Sequence, residues 1–180
     1  MKRIIRTCLL VVLNCLFMSM TAFANEDINW AQIASRMNIE DTSVLLPEGV
    51  NQSISYDNVA RGEFLSSCTI GITNNGYGAI GIYGNVFAHK PVKKIRLNIY
   101  LDRWDENEEE WFQVDLYRFV YEYEEGGEDL VDATESFSVL GFPTGCYYRL
   151  RAACTVWPFE GGFESRGPMT DGVLIKDGPA

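Results

Sequence analysis

The chain has 180 residues, of which 25 are Asp or Glu and 15 are Lys or Arg, giving a formal charge of −10. Charge of that sign repels phosphate backbones and anionic lipid headgroups, which argues against nucleic-acid binding and against a membrane-lytic role. The length suits one domain with a sizeable core.

Residues 1–24 read as a secretory signal peptide. Lys2, Arg3 and Arg6 form a basic start, an apolar run follows from Cys8 to Met20, and Ala22 and Ala24 are the small residues a signal peptidase reads. The run is short for a membrane span, and no later segment is apolar enough to cross. Asn14 stands where a lipid box on Cys15 needs a small residue. Cleavage before Asn25 is expected to release a soluble, secreted, extracellular protein with no membrane partner. It removes three basic residues and no acidic ones, so the product is more acidic still.

Residues 25–60 read as a lead-in that packs on the domain. Trp30, Ile33, Ala34 and Met37 recur at helical spacing, with Asn29 placed to cap the turn, before Pro47, Glu48 and Gly49 interrupt it.

Residues 61–180 read as strand after strand. Runs at 64–73, 77–88, 93–104, 111–121, 137–140, 146–157 and 172–176 are divided by turn chemistry such as Asn74, Asn75 and Gly76, or Gly141, Phe142 and Pro143. About seven strands with no long helix between them predict an all-β chain, an antiparallel two-sheet sandwich.

The third and fourth runs form a hairpin. Ile95, Leu97, Ile99 and Leu101 alternate with Arg96, Asn98, Tyr100 and Asp102, and Phe112, Val114, Leu116 and Val120 alternate with Gln113, Asp115, Tyr117 and Tyr121. Pairing Trp104 with Trp111 sets Ile99 opposite Leu116 and Leu101 opposite Val114 on the inward side. Arg118 is the one dissonant inward residue. The outward side then carries Tyr100, Trp104, Trp111, Tyr117, Phe119 and Tyr121.

On the sixth run Tyr148, Leu150, Ala152, Cys154 and Val156 share one face, with Arg149, Arg151 and Thr155 on the other. Its entry, Gly145, Cys146, Tyr147 and Tyr148, resembles the start of the sixth strand in immunoglobulin-like and fibronectin type III-like domains. The resemblance implies an immunoglobulin-like sandwich whose corner tyrosine, Tyr147 or Tyr148, bonds back to the preceding loop. The tryptophan expected on the third strand is missing, since Trp104 lies at that strand's far end. Gly62, Glu63, Phe64 and Leu65, a glycine-rich second strand, the alternating third strand and the tryptophan hairpin together are similar to small secreted Gram-positive bacterial proteins grouped as domains of unknown function. That likeness implies the address and the fold class, and no activity.

Cys68, Cys146 and Cys154 stay with the mature chain. Cys146 and Cys154 cannot pair along one strand, because their separation spans ~26 Å of extended chain against ~5.5 Å between bridged Cα atoms. Parity turns Cys68 and Cys154 inward, which leaves two alternatives: a Cys68–Cys154 disulfide joining the sheets, or buried free thiols. Cys146 is the odd thiol, buried or open to an intermolecular bridge.

No catalytic residue is assigned. His89 is the one histidine, no serine nucleophile elbow is present, and the cysteines lack paired zinc-ligand spacing, so no metal site is assigned either. The acidic runs 105–110 and 122–132 offer oxygens for calcium without the ligand spacing of a calcium loop, and no cofactor is expected. The expected function is a non-catalytic module that binds an extracellular glycan, cell-wall component or protein through Tyr100, Trp104, Trp111, Tyr117 and Phe119, whose rings offer rigid area with polar handles. Two bland readings compete with it: cross-strand aromatic pairs that stabilise a sheet, or rings covered by the lead-in. The enzymatic alternative is a small hydrolase setting two carboxylates across a polysaccharide, with Asp102, Asp115 and Glu135 as material.

Overall fold

The computed structural model describes residues 28–58 and 62–180. The signal-peptide reading of residues 1–24 lies outside them. Helix α1 (Trp30–Met37) is followed by β1 (Gln52–Asn58), β2 (Leu65–Asn74), β3 (Ile80–Ala88), β4 (Lys94–Asp105), β5 (Glu110–Glu122), β6 (Asp132–Val139), β7 (Cys146–Trp157), β8 (Glu164–Arg166) and β9 (Val173–Ile175). Two antiparallel sheets result, ordered β1-β2-β3-β6 and β5-β4-β7-β8, with β9 also on β7. The chain is therefore the all-β two-sheet sandwich its alternation predicts. Strand β1 falls inside the segment read as lead-in, and β8 was not anticipated at all.

Parity fills the interior. Ile70, Ile72, Ile80, Ile82 and Val86 from one sheet meet Ile95, Leu97, Ile99, Leu101, Leu150 and Val156 from the other, each at most 2% exposed. Fully burying one such side chain contributes about 1.5–3 kcal/mol. Gly84 lets the layers approach closely, since a Cβ there would lie 2.8 Å from Ile99 Cδ1 and Leu97 Cδ2. Glu164 of β8 ties one sheet to the start of the other by accepting the Glu63, Phe64 and Leu65 N–H groups at 3.0, 3.2 and 2.8 Å. Of Tyr147 and Tyr148 it is the second that bonds back to the preceding loop: its hydroxyl donates to the Pro143 carbonyl at 2.7 Å, and burial pushes the phenol up to about 12.

The hairpin register corrects the sequence reading. Trp104 does pair with Trp111, but Leu101 pairs with Asp115 and Asp102 with Gln113, which leaves Val114 as an extra residue. Such a bulge reverses parity for everything beyond it. Ile99 therefore faces Tyr117 rather than Leu116, and Leu97 faces Phe119. Val120, expected inside, is 50% exposed, while Tyr117, Phe119 and Tyr121 pack against the core. Phe112, also expected inside, is 39% exposed although it lies before the bulge, near the hairpin tip. Arg118 no longer points inward.

The cysteine expectation is corrected as well. Parity does turn Cys68 and Cys154 to the interior, but they are free buried thiols, the second of the two alternatives. Burial and the hydrogen bond to Cys154 raise the Cys68 thiol well above its ordinary value. Cys146 is a half-buried free thiol that donates to the Thr144 carbonyl at 3.7 Å.

Candidate functional site

The outer face of the five-stranded sheet carries Tyr100, Asp102 and Trp104 from β4, and Arg149, Arg151 and Ala153 from β7. Most of it lies under the lead-in. The Asn29 side chain accepts the Gln32 N–H at 3.0 Å while the Gln32 side chain accepts the Asn29 N–H at 3.0 Å, a reciprocal cap that fixes where α1 begins. The helix stops at Asn38, whose left-handed backbone (φ 51°) few residues adopt as readily as asparagine. Its inner face sets Ile33, with Ile28, against Tyr100 and Ala153, and Trp30, Ile39, Leu116, Trp157 and Phe163 close around them. Tyr100 is only 6% exposed and its hydroxyl accepts the Trp30 N–H at 3.2 Å. Its expected outward position holds; its expected exposure does not, because apolar surface on α1 covers it.

Beside this cluster lies a charged network. Asp102 has no exposure and accepts from Arg151 Nε at 2.6 Å, Arg151 Nη2 at 2.7 Å and Arg149 Nε at 3.1 Å. Arg149 Nη1 in turn donates to both Asp41 carboxylate oxygens, at 2.7 and 2.6 Å, and to the Ser43 hydroxyl. Two guanidinium groups thus meet two carboxylates, with Arg149 and Asp102 buried and Asp41 at the solvent edge. Burial acts to raise the Asp41 carboxyl, but the Arg149 and Ser43 hydrogen bonds outweigh it and hold the group below its ordinary value. The cations also stack: Arg149 lies 4.5 Å from the Trp111 ring centroid, and Arg151 lies 4.7 Å from that of Trp30. Backbone pairing of Val44 and Leu46 with Gly172, at 2.8 and 2.9 Å, fastens the lead-in here. Gly172 is required, since a Cβ would lie 2.7 Å from the Trp111 ring.

Where the lead-in ends, the hairpin tip stays open. Trp104 and Trp111, both half-buried, meet edge to face with centroids 5.2 Å apart and planes at 64°. With Asp41, Ser43, Glu109, Glu110 and Arg149 they line a depression of about 420 Å³. Trp104 also walls a second depression of about 270 Å³, shared with Arg103, Asp105, Asn107, Cys146 and Tyr147. The tip is shaped by Asp105, whose side chain accepts the Asn107 and Glu108 N–H groups at 2.9 and 3.3 Å. Apolar indole surface is thereby set among oxygen acceptors and one stacked guanidinium. That combination suits a ligand with apolar faces and hydroxyl edges.

Of the five aromatic residues proposed from sequence, Trp104 and Trp111 share this opening. Tyr117 and Phe119 instead contact Phe137 of the facing sheet, at 5.0 and 5.7 Å between centroids. Asp41, Ser43 and Arg149 were missed. The two arginines on the outward side of β7, opposite Asp102, were the available signal, but nothing local showed that the lead-in would complete the network.

The carboxylates of the hydrolase alternative do not share a cleft. Asp102 is enclosed by arginines under the lead-in. Glu135 accepts the Tyr121 hydroxyl, and burial together with that carboxylate raises the Tyr121 phenol. Asp115 accepts the Leu116 N–H at 2.7 Å and lies beside Tyr117, whose phenol is raised first by burial and then by Asp115. His89 is exposed just past the end of β3. Among the described residues no three metal-ligating side chains gather, and no helix is long and apolar enough to cross a membrane.

No family model matches the sequence, and no curated protein matches it. Among solved structures the chain is similar to the sporulation control protein Spo0M from Bacillus subtilis, at 12% identity and a TM-score of 0.33. The match covers 69% of this chain and 49% of that one, so this chain spans about half the length of that protein.

Proposed function

We propose that the chain is exported and acts outside the cell as a non-catalytic sandwich module that binds a glycan at the Trp104–Trp111 corner. One observation carries this reading: the two indoles stand edge to face over a stacked arginine, ringed by carboxylate and hydroxyl oxygens, at the part of the hairpin the lead-in leaves open. Sugar rings offer apolar C–H faces to indole and hydroxyl edges to such acceptors, and a rigid aromatic wall loses little entropy on contact. The basic, apolar and small-residue layout of residues 1–24 supports export. The back-bonded Tyr148, and the passage of β3 into β4 and of β6 into β7 between the sheets, support an immunoglobulin-like or fibronectin type III-like connectivity.

The test is a fluorescence titration with soluble cello-, manno- and chito-oligosaccharides. Expected is a saturable change in tryptophan emission for at least one series, lost or weakened about tenfold in Trp104→Ala, the scale of one well-packed aromatic contact. A flat response to all three series, or an unchanged affinity in Trp104→Ala, ends the glycan reading.

A further inference from the structure

The lead-in packs on the outer face of the five-stranded sheet. The outer face of the other sheet has a different character. Strand parity places Ile54 and Tyr56 of β1 there, and Tyr83 and Phe87 of β3, at 64%, 62%, 39% and 44% exposure. Four large apolar or aromatic side chains open to water on one small sheet exceed the scatter of single exposed residues that needs no explanation.

Between the rings the surface is short and neutral. The register aligns Ile54, Gly71, Tyr83 and Ser136 in one row, and Tyr56, Thr69, Asn85 and Thr134 in the next. Asn85 Nδ2 donates to Thr134 Oγ1 at 2.8 Å, and Asn75 Nδ2 donates to Ser138 Oγ at 2.9 Å, so these amides are held in place. Gly71 and Gly81 lower the floor beside Tyr83. The result is a depression of about 330 Å³, bordered by Thr73, Asn75, Gly81, Tyr83, Ser136 and Ser138. Asp132, opposite Phe87 at the end of the sheet, is the charged residue of these rows, on a chain whose formal charge is −10.

We propose that this face is a second binding surface, and that its occupant is an uncharged polysaccharide chain. Charge points to a neutral polymer. An anionic one is repelled by the field of the whole molecule, and a cationic one is drawn to the densely acidic loops rather than to a face whose one carboxylate, Asp132, stands at its end. Side-chain chemistry points to hydroxyl groups. Serine, threonine and asparagine pair with them as donor and acceptor, and ordering such short side chains costs little entropy. Spacing points to an extended chain. Tyr56 and Tyr83 sit two strands and one row apart, ~12 Å, and Tyr83 and Phe87 are ~13 Å apart along one strand, so separate sugar units reach separate rings. A protein partner fits less well, since serine is depleted from interface cores and both serine and threonine are under-represented among the residues that carry binding energy.

The experiment is depletion of the protein onto insoluble cellulose, chitin and mannan, repeated with Tyr56→Ser, Tyr83→Ser and Trp104→Ala. Expected is retention on at least one matrix that persists at high salt, falls about tenfold for each tyrosine variant and survives Trp104→Ala. That last arm separates this surface from the tryptophan corner. Both tyrosines point into solvent, so the variants keep the fold, which circular dichroism checks. The proposal is overturned by any of three results: no retention on any of the matrices, tyrosine variants that bind like the parent, or a dimer in sedimentation equilibrium that Tyr83→Ser dissolves, which would assign the face to a second copy of the chain.

Discussion

Asp102 receives three guanidinium hydrogen bonds at a position with no exposure, and Arg149 passes the connection on to Asp41 in the lead-in. Removing one member of a buried charge set costs more than the set contributes as a whole, because the partners are left charged and dry. Asp102→Ala is therefore expected to lower stability by about 3–5 kcal/mol in urea unfolding. A loss near zero would mean that water already reaches both arginines. At this scale the sequence was partly legible. Alternation placed Asp102, Arg149 and Arg151 on one outward face, and Tyr148 was one of two corner candidates. Asp41 and Ser43 carried no signal, since nothing in their own neighbourhood shows which strand they approach.

The unexpected element is the bulge at Val114. Strict alternation read through it and so assigned Leu116 and Val120 to the core, whereas the interior takes Tyr117, Phe119 and Tyr121. The hint was present in Arg118. A charged side chain in an otherwise apolar series marks the place where period two has slipped, and the alternative series is aromatic from Tyr117 to Tyr121. Helix α1 shows the opposite outcome. Trp30, Ile33 and the Asn29 cap made its existence legible, and the apolar surface beneath it explains why Tyr100 is unavailable to ligand. Ile33→Asp puts a carboxylate into that contact and is expected to undock the lead-in while leaving the sandwich folded. Far-ultraviolet dichroism should stay sheet-like, a hydrophobic dye should begin to bind, and about 1.5–3 kcal/mol of burial is forfeited. Dye binding equal to the parent's would show that α1 contributes no cover.

Taken whole, the molecule is a sandwich whose two outer faces differ. One is charged and largely roofed by the chain's own N-terminal segment, which leaves the tryptophan corner open. The other carries exposed rings among short neutral side chains, with Asp132 at its end, and no described residue packs over those rings. The architecture was legible because about seven strand-like runs follow one another between turn signals, some alternating with period two, and no long helix separates them. The choice of surface was not, since exposure depends on what packs above a face and a single sheet carries no record of that. The most direct test follows the indole N–H resonances of the four tryptophans by heteronuclear NMR while a bound oligosaccharide is titrated in. Shifts of Trp104 and Trp111, with Trp30 and Trp157 unmoved, are the result this account predicts. Unmoved Trp104 and Trp111 signals at saturation would contradict it.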